Sequence, residues 1–441
     1  MEHKKFNYKS LNDVKNECKR LGIELPFSED IDVLKQPIDI QGKRIANRVM
    51  IQPMEGCDGI EETGALGELT KRRYDRFASS GAGIIWFEAV AVVHEGRANP
   101  RQLWMNEKSF DSFAEAVEHV KEKTMKLYGF EPLVIMQATH SGRQSRPNNS
   151  THEPLIAQHK EIFEKNKPLS DDCIISDDDI KKTEQAYGTA AKLAKAAGFD
   201  GIDVKNCHGY LNNELMTAYE RKGEYGGSFE NRTRFYFNSI ESARAAVGDD
   251  FIITSRMNIY DGYEYPWGIG ANPDGSLEPD LTEPLKIVDI LHDKYGYKLF
   301  DVTIGNPYFN PHVNRPYDMG GYVPPEHPLE GVCRMMKCVE AVQKRHKDMA
   351  VAGSAFTYLR QFSPMLAAGA VKNGICSIAG FGRMSFAYPE FVRDMFTDGF
   401  DPKKTCITCG KCTELMRGDK PAGCVVRDSE VYLPIYKSIK K

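Results

Sequence analysis

From residue 49 onward the chain is punctuated by eight short apolar runs. They read VMIQPM (49–54), AGIIWFEAV (82–90), PLVIMQA (132–138), FDGIDVK (199–205), FIITSR (251–256), YKLFDVTIG (297–305), MAVAGS (349–354) and GICSIAG (374–380). None alternates apolar with polar positions, which suits strands buried on both faces of a parallel sheet. Between them lie amphipathic stretches such as SFDSFAEAVEHVKEK and EGVCRMMKCVEAVQKRH, several ending at or before a glycine, as helices do. Strand followed by helix, eight times over, predicts an α/β fold of the (β/α)8 TIM-barrel type. The open doubly wound sheet is the competing architecture, but no GxGxxG follows the first run, as a dinucleotide-binding half would require. Three regions are expected: an N-terminal extension over 1–48, the barrel over 49–400, and a short cysteine-rich tail over 401–441.

Composition narrows the function classes. A net charge of −4 and a pI near 6.3 leave no basic field for nucleic acid or anionic lipid. No apolar run approaches the roughly 20 residues that span a bilayer, and the charged N-terminus lacks the apolar core of a signal peptide. A cytoplasmic protein is expected. Seven of the 11 cysteines are scattered singly and the total is odd, a poor disulfide framework.

In a barrel the chemistry gathers at the C-terminal ends of the strands. Here those ends read PMEGCDG, EAVAVVHEGR, QATHSGRQ, KNCHGYLNNE, SRMNIYDGY, IGNPYF, GSAF and AGFGRM. The loops at 139–175 and 206–226 are the longest, and are expected to form a substrate mouth. Past the fourth run, Lys205, His208 and Tyr210 place two potential cations and a phenol within six residues. Such a set can hold a carbonyl oxygen and deliver a proton. It is equally compatible with a helix-capping histidine and a packed tyrosine. Gly353 and Ser354 after the seventh run, and Gly382 and Arg383 after the eighth, stand where barrels bind phosphate, although glycine at such turns is common. In the tail, Cys406, Cys409, Cys412 and Cys424 follow a C-x2-C-x2-C-x11-C spacing. Four thiolates so arranged suit a [4Fe–4S] cluster, with a zinc site or free thiols as the alternatives.

The chain resembles the old yellow enzyme family, in the iron–sulfur branch of 2,4-dienoyl-CoA reductase and trimethylamine dehydrogenase. The strings that carry the likeness are NRVMIQPM (47–54), IMQATHSGRQ (135–144), GFDGIDVKNCHGYLNNEL (198–215), EYGGSFENRTRF (224–235) and AGFGRMSFAYPEF (379–391). The resemblance implies FMN, with Pro53, Met54, Glu55 and Ala89 along the isoalloxazine ring. It places Gln137 and Arg256 at the pyrimidine side, and Gly353, Ser354, Gly382 and Arg383 at the phosphate. It further implies a [4Fe–4S] cluster on the four tail cysteines, Lys205 and His208 at a substrate carbonyl, and Tyr210 as proton donor. Two positions depart from the family: Lys205 stands where histidine is usual, and Glu55 where cysteine or threonine often lies beside flavin N5. Larger relatives continue past the cluster into FAD- and NAD(P)H-binding domains. Here the sequence stops at Lys441, so electrons are expected from a ferredoxin, flavodoxin or reductase subunit. NAD(P)H is the ultimate or direct donor that the family allows.

The activity so implied is reduction of the C=C bond of an α,β-unsaturated carbonyl compound. Two rivals are an amine dehydrogenase running electrons outward, with Trp104, Tyr260, Tyr263, Tyr265 and Trp267 able to cage a cation, and a non-catalytic electron-transfer subunit. A homo-oligomer is compatible with all three.

Overall fold

The computed structural model describes residues 5–148 and 152–439. An antiparallel hairpin, β1 (Ile38–Ile40) and β2 (Lys43–Ile45), precedes the main sheet. The sheet's strands are β3 (Val49–Ile51), β4 (Ile84–Ala91), β5 (Leu133–Thr139), β6 (Gly201–Val204), β7 (Ile252–Thr254), β8 (Arg256–Asn258), β9 (Leu299–Thr303), β10 (Ala350–Gly353) and β11 (Ile378–Phe381). Every pairing among them is parallel, in the order β7-β6-β5-β4-β3-β11-β10-β9-β8. The two ends of that order, β7 and β8, are separated in sequence by Ser255 alone. They are one interrupted strand, and the sheet closes on itself as the expected eight-membered barrel. The interruption has a local cause: the Arg256 N–H donates to the Asp203 side-chain carboxylate at 2.7 Å rather than to a backbone carbonyl of the neighbouring strand.

Burial explains the unbroken apolar runs, since all the main-sheet strands are buried along their whole length. One set of side chains points inward. Met50, Ile84, Trp86, Leu133, Ile135, Ile252, Leu299, Ala350, Ala352 and Ile378 fill the lower barrel, and Ile40 and Ile45 of the hairpin pack against them. The N-terminal segment thus floors the barrel. The other set packs on the surrounding helices, as where Phe87 stacks on Tyr74 of helix Glu68–Ala78 at 3.7 Å. Among the described residues, no helix is long and apolar enough to cross a membrane.

The string YGGSFENRTRF does structural work. Ser228 caps helix Phe229–Val247 by accepting the Asn231 N–H, and Arg232 reaches Glu283 through two hydrogen bonds of 2.8 Å. Arg221 donates to the carbonyls of Ala157 and Ile175, holding the long loops to the barrel rim. The tail adds helices Lys411–Arg417 and Ser429–Ser438. Leu415, Ala422, Val425 and Tyr432 form a small core of their own that Leu69 joins.

Candidate active site

Above the apolar layer the barrel turns polar. Gln52 donates to Asp301 at 3.1 Å, Gln137 to Asp203 at 2.6 Å, Trp86 Nε1 to Asp203 at 3.0 Å, and Arg256 pairs with Asp301 at 3.0 Å. Burial pushes the Asp203 carboxyl up to about 7 and Asp301 up to about 6. This layer floors a cleft of about 1350 Å³, open solvent at its mouth included, at the C-terminal ends of the strands. Pro53, Met54, Glu55, Gln137, Lys205, His208, Tyr210, Arg256, Ser354, Gly382 and Arg383 all line it. Two expected residues do not. Ala89 is fully buried in β4, its carbonyl accepting from Gln102, and Gly353 sits in β10, where a Cβ would lie 3.3 Å from Cys376 and Val339.

One corner of the cleft concentrates reactive groups. The Lys205 ammonium lies 3.5 Å from Glu55 Oε1 and 4.0 Å above the Tyr210 ring. The Tyr210 hydroxyl stands 3.4 Å from the same Glu55 oxygen and 2.9 Å from the Tyr308 hydroxyl. Burial, then Glu55 and Tyr308, hold the Tyr210 phenol well above its ordinary pKa, so it keeps its proton. Glu55, the unusual carboxylate beside the expected flavin position, is therefore paired rather than isolated. His208 sits at φ 67 just ahead of Gly209 at φ 71, in a left-handed turn that aims its ring toward Asn314, 3.2 Å away. Burial, then the cations Arg256, Lys205 and Arg315, push its pKa well below 6.5. His208 is thus a neutral hydrogen-bonding group, and Lys205 is the cation of the pair.

The opposite end is cationic without compensation. Arg315, after β9, lines the cleft with Arg383, and burial followed by Arg383 presses its pKa down to about 10. Among the described residues neither guanidinium forms an ion pair with a carboxylate; Arg383 reaches only the Pro316 carbonyl, at 3.4 Å. Two guanidiniums lining the cleft with Gly382 and Ser354 could hold a phosphate-sized anion.

Next to this end lies a second void of about 380 Å³, lined by Cys406, Cys409, Cys412 and Cys424. Thr408 at φ 53 and Gly410 at φ 75 bend the chain around it. The Thr408 N–H donates to Cys406 Sγ at 3.4 Å and the Arg427 N–H to Cys424 Sγ at 3.3 Å. Among the described residues, no three of these sulfurs lie within 4.8 Å of one another. A tetrahedral zinc ion would hold them about 3.8 Å apart, given Zn–S bonds of about 2.3 Å. Four thiols around one void could hold a metal ion or a polynuclear cluster. Arg383, Phe386 and Cys412 belong to the walls of both voids, so the two sites adjoin.

Tyr308, Asn314 and Arg315, and the arginines Arg146 and Arg417, also line the cleft and lie outside the residues expected from the motifs. The signal was present in IGNPYFNPHVNRP, a proline- and asparagine-rich stretch at a strand's C-terminal end.

A model of the NADH:flavin oxidoreductase / NADH oxidase family matches residues 33–269. An NADPH dehydrogenase of Geobacillus sp. (strain WCH70) is 34% identical over 279 residues, covering 62% of this chain and 73% of that protein. A cinnamate reductase of Clostridium sporogenes is 25% identical over 433 residues, covering 94% of this chain and 61% of the relative. The structure of 2-naphthoyl-CoA reductase with 2-naphthoyl-CoA superposes with a TM-score of 0.74 at 19% identity, over 90% of this chain and 57% of the other. Histamine dehydrogenase from Rhizobium sp. 4-9 follows at 0.68 and 21% identity, over 90% and 52%. These two structural likenesses speak to the fold. The chain spans about three fifths or less of the cinnamate reductase, the 2-naphthoyl-CoA reductase and the histamine dehydrogenase.

Proposed function

Since the chain belongs to the NADH:flavin oxidoreductase / NADH oxidase family and is a flavin-dependent oxidoreductase, we propose that it reduces the C=C bond of an α,β-unsaturated carbonyl compound. The cleft fits FMN. Arg315, Arg383, Ser354 and Gly382 would hold the phosphate, Gln137 and Arg256 the pyrimidine edge, and Pro53, Met54 and Glu55 the ring. Bound FMN supplies hydride to the substrate's β-carbon. The protein's part is to orient and polarise the acceptor. Lys205 and His208 hydrogen-bond the carbonyl oxygen, stabilising the negative charge that develops there, and Tyr210 gives its proton to the α-carbon. The four tail cysteines would hold a [4Fe–4S] cluster, which would supply one-electron transfer chemistry toward a ferredoxin, flavodoxin or reductase subunit, with NAD(P)H as the ultimate or direct donor.

The observation that carries this reading is the charge of the cleft. Of its six basic lining residues, Lys205, Arg256 and Arg146 are paired with Glu55, Asp301 and Asp419, while Arg315, Arg383 and Arg417 form no ion pair with a carboxylate among the described residues, and Glu55 is the one carboxylate in the lining. Such a field favours polarised or anionic acceptors over a cationic amine. The test is anaerobic purification with flavin, iron and sulfide determination, followed by assays of enoates and enones against methylamines. Flavin-dependent reduction of a conjugated carbonyl supports the reading. Amine oxidation alone, or protein with neither flavin nor iron after oxygen-free reconstitution, overturns it.

A further inference from the structure

We infer that Tyr308 is a proton relay, returning a solvent proton to Tyr210 after each turnover; this rests on the alkene-reduction reading and adds a residue to it. Once Tyr210 has protonated a substrate it is left as a tyrosinate, and 2% exposure shuts it from bulk water. Its hydroxyl has two polar neighbours: the Tyr308 hydroxyl at 2.9 Å and Glu55 Oε1 at 3.4 Å. Lys205 meets the face of the Tyr210 ring, not its oxygen, and is itself only 3% exposed. Glu55 is engaged by the Lys205 ammonium. Among the described residues, Tyr308 combines a transferable proton with a hydrogen bond of 2.9 Å to Tyr210, and the residue lines the cleft with 39% of its surface exposed.

The loop that carries Tyr308 is built to keep it in place. Its N–H donates to Asn306 Oδ1 at 2.8 Å, the Asn306 N–H to Asn310 Oδ1 at 2.7 Å, and Asn310 Nδ2 to the Asp261 carbonyl at 2.8 Å. From the tail, Arg417 donates to the Pro307 carbonyl at 3.0 Å. Two phenols held at hydrogen-bond distance can pass a proton from one oxygen to the other.

The steps balance without any electron moving through the tyrosines. The Tyr210 O–H bond breaks as the substrate Cα–H bond forms. The Tyr308 O–H bond then breaks as the Tyr210 O–H bond reforms, and a water-borne or buffer acid restores Tyr308. Hydride and its electron pair come from the reduced flavin alone.

The test uses the holoenzyme, reconstituted with FMN and iron–sulfide, and an enoate that the wild type reduces. In Tyr308→Phe, steady-state turnover should fall about tenfold or more, the lower range for loss of acid–base assistance. KM and the first, single-turnover oxidation of the reduced flavin should hold, because Tyr210 starts protonated. The steady-state solvent isotope effect should rise, and millimolar imidazole should restore turnover. Tyr308→His, which retains a titratable group on the path, should keep most of the activity. Unchanged turnover and isotope effect in Tyr308→Phe would overturn the relay. So would an equal loss in the first turnover that imidazole and Tyr308→His fail to repair, the mark of a packing role. Failure of the underlying reading looks different: wild-type turnover with no conjugated carbonyl, or a Tyr210→Phe variant as active as wild type.

Discussion

At the scale of single residues, the corner formed by Lys205, Tyr210, Glu55 and Tyr308 decides what the cleft can do. Tyr210→Phe removes the hydroxyl and nothing else that touches the flavin seat. Its alkene reduction should fall by about two orders of magnitude or more, while the visible flavin spectrum stays. Stopped-flow oxidation of the reduced flavin by substrate checks this. Lys205→Met should act on the carbonyl instead, raising KM and lowering kcat together. The charged floor makes a second, independent prediction. Asp203 is pushed up to about 7 by burial, so the folded protein binds that proton more tightly than the unfolded chain. The stability involved is fully present below the unfolded carboxyl's pKa near 4 and is lost as pH rises to about 7. In Asp203→Asn that loss disappears. Thermal melts from pH 4 to 8 should therefore shift in the variant's favour as pH rises. The motif strings exposed most of this corner to sequence reading, because Lys205, His208 and Tyr210 share six positions. Tyr308 and Arg315 escaped it: they sit about a hundred residues away and reach the site only because β9 closes against the split strand.

The secondary-structure elements were legible to different degrees for a physical reason. Strands buried on both faces must be apolar throughout, so each of the eight runs announced itself. The break at Ser255 is invisible in sequence because it depends on a side chain from another strand, Asp203, capturing the Arg256 N–H. The hairpin β1–β2 falls inside the expected N-terminal extension, because three-residue strands carry too little periodicity to stand out from it. Its role is fixed by tertiary packing: Ile40 is 0% exposed against the inward side chains of the barrel. Truncation there should leave a void in the barrel floor. Ile40→Ala is expected to cost about 2–5 kcal/mol, read as a lower urea midpoint with an unchanged slope, and to leave the cleft's spectral and kinetic properties intact.

For the whole molecule, the tail is tied to the barrel at many points, among them Arg101 and Arg146 to Asp419 and Arg360 to the Ile407 carbonyl. The Ala422 N–H donates to the Gly56 carbonyl at 2.7 Å, next to Glu55. Arg417 holds the Pro307 carbonyl, next to Tyr308. Asp428, 8% exposed, accepts two hydrogen bonds from Arg72 at 2.7 and 3.0 Å and another from Arg76, both on helix Glu68–Ala78. A cysteine cradle held by these ties has a fixed distance to the cleft, and electron transfer falls steeply with distance. Removing one tie should therefore uncouple the two sites without emptying the cleft. In Asp428→Ala the guanidiniums of Arg72 and Arg76 lose their shared carboxylate, and Ser429–Ser438 loses its anchor to the barrel. The expected variant keeps its FMN content and its reduction by dithionite. It loses iron on gel filtration, and its flavin is reduced more slowly by a one-electron protein carrier. Cys409→Ala gives the limiting case, with iron absorbance gone and flavin bands spared. If Asp428→Ala matched the wild type in carrier-driven flavin reduction, the tail's attachment would be irrelevant to electron delivery, and the adjoining voids would be neighbours without being partners.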